Sequence, residues 1–436
     1  MKLNYKRTFL IGFAFMSICA FWQLYDNLVP LILSKTFNLG ETMTGGVMAL
    51  DNILALFLLP LFGALSDKTH TRLGRRMPYI LAGTAFAVIF MTFLPIADRM
   101  NHFTLFIISL AVVLFAMGSY RSPAVALMPD VTPKPLRSSA NSIINLMGTL
   151  GAIFTLIMSG ILIPKVNRPD YLPIFLAVAL LMIVAVALLA ITIRENALVK
   201  ENEIINAQFE KSQYSISGKE ISLKSDENKT DRISFEVKKS LILLLTSVFL
   251  WFTAYNAVTT AFTRYADKVW GLKGGSFANT LLVATGAATL SYLPIGYFSG
   301  KFGRKKTILA GILLMSLSYF FGTLFTSFTP AILLIFALTG IGWAAINVNS
   351  YPMVVEMSRG SDVGKYTGLY YTFSMAAQIF TPIVSGALLE NVSYRTLFPY
   401  SFIFSALSLC TMLCVKHGDS KPERKKSVLA HFDIED

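Results

Sequence analysis

The chain has 436 residues, 54% of them hydrophobic and only 14% charged, with a formal net charge of +13. Soluble domains carry about 25% charged residues, and a nucleic-acid reading needs a basic face interleaved with aromatics, which is missing. There is no GxxxxGK[ST] phosphate loop and no His-based or nucleophile arrangement, and Cys19, Cys410 and Cys414 lack ligand-like spacing. ATP drive, catalysis, a cofactor, a disulfide and a metal site are therefore not expected.

Taken in order, the chain is a string of apolar runs, each long enough to cross a hydrocarbon core about 30 Å thick. Twelve fall at roughly 8–34, 44–66, 77–97, 102–128, 139–163, 171–193, 240–263, 277–300, 306–327, 329–355, 365–389 and 394–415. Lys2, Lys6 and Arg7 before the first run imitate a secretory signal. That run is too long for a cleaved segment and carries Asp26, so it reads as an uncleaved first span. Residues 194–239 are the one long polar interruption, with nine basic and nine acidic residues, and read as a solvated linker with some amphipathic helix.

The expected fold is an all-α membrane protein of twelve transmembrane helices in two six-helix halves. The divisions are 1–194, a linker at 195–239, 240–416 and a tail at 417–436. Of the 38 Lys and Arg residues, 29 fall on the side of the termini and the linker, which places both termini in the cytoplasm. The expected home is the cytoplasmic membrane of a bacterium.

The halves echo each other. GALSDKTHTRLGRRMPYIL (63–81) follows the second run and GYFSGKFGRKKTIL (296–309) the eighth. SYRSPAVALMPD (119–130) closes the fourth and INVNSYPMVVE (346–356) the tenth. In the second pair an acid ends the helix, and a polar residue lies nine positions earlier: Arg121 before Asp130, Asn347 before Glu356. A six-plus-six duplication with its site between the halves is the build of alternating-access carriers.

The stretch GALSDKTHTRLGRR resembles the motif between spans two and three of the major facilitator superfamily. SDKTHTRLGRRMPYI, PAVALMPD and the Ala140-Asn141 helix start are similar to the glycoside–pentoside–hexuronide:cation symporters, nearest to sucrose–proton symporters. The resemblance implies a twelve-helix carrier importing a glycoside, such as sucrose or maltose, with a proton. It implies proton coupling at Asp130, and a cytoplasmic latch of Asp67, Arg75 and Arg76. Two departures stand out: Gly300 replaces Asp67 in the second repeat, and Asp26 is a carboxylate where the plant-type carriers are expected to be uncharged.

An intramembrane charge costs about 2.5–3.5 kcal/mol on insertion scales, so one that is kept faces a cavity and has a task. Asp26 lies about 27 Å of helical rise into the first span and Asp51 about 24 Å above Asp67, so both reach a similar depth. Gln23, Asp26 and Asn27 share a face by their spacing. Asp26 and Asp51 are candidates for proton exchange, or with Asn52 for Na⁺, or for a structural polar pair. Arg121 offers five donors to sugar hydroxyls or to a carboxylate such as Asp26.

Further candidate sugar contacts are Asn141, Asn145, Asn256 with Tyr255, Asn347, Asn349, Tyr370, Tyr371, Ser374 and Gln378. Depth alone makes Asp130 and Glu356 gate residues, and Arg264 near Asp267 reads as a surface ion pair. The expected partners are a small-molecule sugar, a proton or Na⁺, and the bilayer, with the carrier acting as a monomer. A lysolipid carrier and a membrane sensor that transports nothing are the alternatives.

Overall fold

The computed structural model describes residues 3–133, 136–217, 235–357 and 363–418, and among these residues no strand occurs. The first helices are α1 (Tyr5–Lys35), α2 (Glu41–Lys68), α3 (Met77–Arg99), α4 (Phe103–Val131), α5 (Arg137–Leu162) and α6 (Leu172–Thr192). After α7 (Glu195–Ser217) come α8 (Phe235–Lys268), α9 (Ala278–Phe302), α10 (Arg304–Gly322), α11 (Ala331–Glu356), α12 (Val363–Asn391) and α13 (Leu397–Leu413).

Ten of these helices are long and apolar enough to cross a membrane on their own. The segment holding α9 qualifies as an eleventh if its two parts, which meet at a 52° bend before Pro294, count as one span. Proline removes a backbone donor and crowds the preceding turn, which accounts for the bend. The nineteen-residue α10 opens on Arg304, Lys305 and Lys306, so fewer of its residues are apolar. Large apolar side chains such as Leu180 and Ile191 stay exposed on the outer faces, as lipid-facing positions do, because backbone groups are satisfied inside each helix.

Packing repeats with the sequence. Within the first six helices, α1 packs on α5 and α6, α3 on α4 and α6, and α2 on α4. Within the last six, α8 packs on α12 and α13, α10 on α11 and α13, and α9 on α11. Shifting each helix of the first set by one repeat yields the second. The contacts between the sets obey the same rule, with α2 on α12 mirrored by α9 on α5, and α1 against α8 between them.

The repeated Gly-Arg-basic turn has a backbone reason. Gly74 and Gly303 take φ of 123° and 95°, a region that residues with a Cβ rarely enter. Each glycine turns the chain so that the next helix starts with a cation beside the acid of a neighbouring helix. Arg75 and Arg76 thus meet Asp130, and Arg304 meets Glu356.

The polar segment after α6, expected to be a solvated linker with some amphipathic helix, opens on such a helix, and that helix is docked on the bundle. Its first 23 residues form α7, which lies across the end of the bundle that holds the termini, hereafter the termini end. The Asn202 amide donates to the Asp130 carbonyl at 2.9 Å, Asn196 donates to the carbonyls of Thr71 and Arg72 at 3.0 and 3.1 Å, and Arg7 pairs with Glu201 at 3.1 Å.

Replacing Gly74 with Ala would place a Cβ 2.1 Å from a Glu195 carboxylate oxygen as well as forcing the positive φ. We expect a loss of about 1–3 kcal/mol, read as a thermal midpoint several degrees lower for the detergent-solubilised protein. A wild-type midpoint would mean that the turn does not need its glycine.

Candidate functional site

Midway along the bundle three charges gather from three helices of the first half. Asp26 on α1 is half-buried and lies within electrostatic reach of Asp51 on α2 and Arg121 on α4. Asp51 is in reach of Arg121 as well, and accepts a hydrogen bond from the neighbouring Asn52 amide at 2.8 Å. Arg121 does not hold Asp26 in a direct ion pair. Its guanidinium instead lies over the Trp22 ring, 5.6 Å from the centroid, the geometry of a cation–π contact.

The second half supplies the opposite wall, and it is aromatic. Tyr255 on α8 lies parallel to Trp343 on α11, with centroids 3.7 Å apart and planes at 4°. Phe252 meets the same Trp343 edge-on at 5.3 Å. Tyr371 on α12 is 5.6 Å from Tyr370 and 6.2 Å from Tyr351. The two walls are neighbours: Tyr255 lies within electrostatic reach of Asp26, and Tyr371 within that of Arg121.

The amide candidates divide. Asn347 is exposed beside the Tyr292 hydroxyl, and Asn256 holds a buried amide nitrogen with no hydrogen-bond partner among the described residues. Asn141 and Asn145 are exposed on the termini-end part of α5, and Gln23 is half-buried beside Trp22. Others are spent within the protein. The Asn27 amide donates to the Gln23 carbonyl at 2.6 Å, and the residue is buried. Asn349 joins α11 to α9, its carbonyl taking the Ser299 hydroxyl and its amide reaching the Ala345 carbonyl at 2.9 Å. Ser374 donates to the Tyr371 carbonyl at 3.0 Å and Gln378 to the Ser374 carbonyl at 3.3 Å, so both bond back onto their own helix.

At the termini end, Asp67, Arg75, Arg76 and Asp130 form one network inside the first half. Arg76 bonds Asp67, the Ser66 hydroxyl and, at 2.8 Å, Asp130. Arg75 reaches Asp130 at 2.7 Å. The buried Glu195 at the start of α7 went unnoticed in the sequence, and it anchors this network. Its carboxylate accepts the backbone N–H groups of Arg75, Arg76 and Met77 at 2.8–3.1 Å, at the positive end of α3. An acid just past the sixth apolar run was the available signal.

The opposite, far end holds the clearest correction. Arg264 is not a surface residue paired with Asp267. It is 3% exposed and binds Glu41 across the halves at 2.5 Å, while Asp267 takes Lys35 at 2.6 Å. The Tyr394 hydroxyl also donates to Glu41, and the Thr42 N–H to Glu390 at 2.7 Å. These ties close the far end, whereas Asn141, Asn145 and Leu146 lie uncovered toward the termini end.

Comparison with known proteins agrees with this build. The family described as Major Facilitator Superfamily matches residues 11–292 and 275–432. Multidrug resistance protein 2 of Bacillus subtilis is 23% identical over 424 residues, covering 89% of this chain and 99% of its own. The MFS-type transporter ppz2 of Metarhizium majus is 28% identical over 198 residues, 43% of this chain and 31% of that protein. Chloramphenicol resistance protein CraA of Acinetobacter baumannii is 29% identical over 143 residues, 33% of each. The chain thus spans about a third of those last two relatives. Among solved structures, a mutant form of the peptide transporter POT in complex with sulfate superposes with a TM-score of 0.67 at 13% identity, over 94% of this chain and 93% of that one. The nucleoside transporter NupG does so with 0.67 at 14%, over 94% and 100%.

Removing the Glu195 carboxylate strands three helix N–H groups, whereas Asp67 is 58% exposed at its side chain. Glu195→Ala should therefore cost about 1–3 kcal/mol and Asp67→Asn under about 1 kcal/mol. Thermal unfolding of the two variants checks the order. A smaller shift for Glu195→Ala than for Asp67→Asn would remove Glu195 from its anchoring role.

Proposed function

Since the chain belongs to the major facilitator superfamily, we propose that it is a twelve-span secondary active transporter importing a glycoside, such as a disaccharide, together with a proton. On this reading it sits in a bacterial cytoplasmic membrane with both termini inside. The halves, 1–194 and 240–416, rock about the mid-bundle site, and the structure corresponds to the state open to the cytoplasm. The observation that carries the reading is the facing of an Asp26–Asp51–Arg121 wall by a Tyr255–Trp343 stack. Sugars need hydrogen-bonding groups on one side and a flat aromatic face on the other.

Coupling follows from the missing ion pair. Arg121 is near both carboxylates and locked to neither, so it can trade them for sugar hydroxyls as one carboxyl gains or loses its proton. Asn347, Asn256 and Tyr371 complete the site from the second half, and Asn141 and Asn145 line its exit. Asp67, Arg75, Arg76 and Glu356 serve the inner gate, pairing within their own halves while that gate stands open. One charge moving through about 150 mV supplies about 3.5 kcal/mol, enough for about a 300-fold gradient at about 1.36 kcal/mol per tenfold.

A second reading has a specific observation in its favour. Two carboxylates against one arginine leave the site net negative whenever both are deprotonated, and the relative that covers most of this chain is a drug-resistance protein. Such a site suits an organic cation exchanged for protons. Substitution of Na⁺ for the proton is a variant of the first reading, and Asp26, Asp51 and Asn52 are its ligands.

Uptake of labelled sugars and of a lipophilic cation into energised vesicles, with and without a proton ionophore, separates the readings. Ionophore-sensitive sugar accumulation is expected, and cation extrusion without sugar uptake would overturn the first reading. Asp26→Asn, which keeps the volume and removes the titration, should abolish uphill accumulation but spare sugar–sugar exchange. If Asp130→Asn behaves that way and Asp26→Asn does not, coupling belongs to Asp130. Arg121→Lys should lower uptake on the order of a hundredfold, because an ammonium lacks the fork, and wild-type uptake in that variant would return Arg121 to packing.

A further inference from the structure

Arg121 meets α1 where two different partners stand one turn apart. Trp22 and Asp26 are four residues apart on that helix, so they share a face, about 6 Å from each other along its axis. The guanidinium lies over the Trp22 ring, 5.6 Å from the centroid, and Asp26 is within electrostatic reach without an ion pair between them. Asp51, the other carboxylate in reach, accepts from the Asn52 amide at 2.8 Å. The arginine thus stands at the neutral partner and not at a charged one.

Neighbouring rings hold Trp22 in its orientation. It meets Phe21 at 5.2 Å with planes at 75°, and Tyr25 at 5.3 Å with planes at 88°. Both of those residues are 1% exposed, and two near-perpendicular contacts leave the indole plane little room to turn. The indole N–H takes no part, because Nε1 is buried and has no hydrogen-bond partner among the described residues. A buried indole N–H usually finds an acceptor, and leaving it without one costs stability. Phenylalanine or leucine would fill the position without that cost. What tryptophan alone supplies here is the strongest π face for a cation.

We infer that Trp22 is a positioning residue for Arg121: its ring holds the guanidinium one turn from Asp26 and keeps the N–H donors available to the passenger's hydroxyl oxygens. This deepens the sugar reading and rests on it. The relative strengths of the two partners decide the outcome. Separating a guanidinium from a buried carboxylate strands a lone charge, so neutral hydroxyls compete poorly for an arginine held that way. Attraction to a ring is weaker and is readily exchanged for hydroxyl acceptors. With a weakened ring, Arg121 spends more of its time on a carboxylate. The apparent affinity for sugar then falls with the fraction of molecules left in the competent arrangement.

Tryptophan analogues with one, two and three ring fluorines, placed at position 22 alone by nonsense suppression, weaken the π face and keep the shape and the N–H. In energised vesicles the KM for sugar should rise stepwise along the series, by roughly tenfold in all, with kcat within about twofold. Trp22→Phe should fall within the series and Trp22→Leu beyond it. A packing role gives a flat series, because the size of the ring hardly changes. An N–H bond from Trp22 to the sugar gives the opposite slope, because fluorine makes the N–H a better donor. Either result overturns the positioning role. The sugar-free, detergent-solubilised protein supplies an independent measurement. Its thermal midpoint should fall by about 2 °C along the series and stay level along the same series in an Arg121→Gln chain. Midpoints that fall equally in both chains also overturn the role. If the midpoints respond as expected while no sugar is taken up, Trp22 still positions Arg121 and the sugar reading falls. If sugar uptake is that of the wild type throughout, only the positioning role falls.

Discussion

Water is scarce in the middle of a bilayer, so a charge kept inside a membrane helix must be matched by a partner or placed in a cavity. That constraint organises this protein along its length. At the far end Glu41 and Arg264 are matched and dry, and at the termini end Asp67, Arg75, Arg76 and Asp130 are matched at the edge of the bundle. Between them Asp26, Asp51 and Arg121 are neighbours without being locked together. Charge is settled at the two ends and unsettled in the middle, which is why the proposed site is placed there.

The aromatic wall follows from the same economy. A second set of fixed charges opposite the first would need its own partners, whereas the parallel Tyr255–Trp343 pair offers a large face at no electrostatic cost. The Arg121–Trp22 contact extends that logic to the charged side, where a ring face replaces a carboxylate as the partner of a cation.

Much of this was legible in the sequence because it rests on local pattern. Run length placed the membrane helices, and the repeated Gly-Arg-basic turns located the termini-end charge pairs. An odd carboxylate in a greasy run, Asp26, pointed to the middle of the bundle. What escaped depended on partners far apart in the chain. Arg264 and Asp267 are three residues apart, so proximity in sequence suggested a pair. Their partners, Glu41 and Lys35, lie more than 220 positions away across the interface of the halves. Asn349 and Ser374 looked like ligand contacts because a polar residue in a membrane helix looks the same whether it faces a cavity or a neighbouring helix. Glu195 was hidden by its setting, since one acid in a polar linker has no period to mark it.

Among the described residues, the helix α7 ties the start of the linker to the first half. It is fastened to α3 through Glu195, to α4 through Asn202 and to the start of α1 through Glu201, all of them in the first half. These residues act as a splint along one side of the bundle. If the halves rock as proposed, the aromatic wall moves with the second half while the charges stay with the first half and its splint.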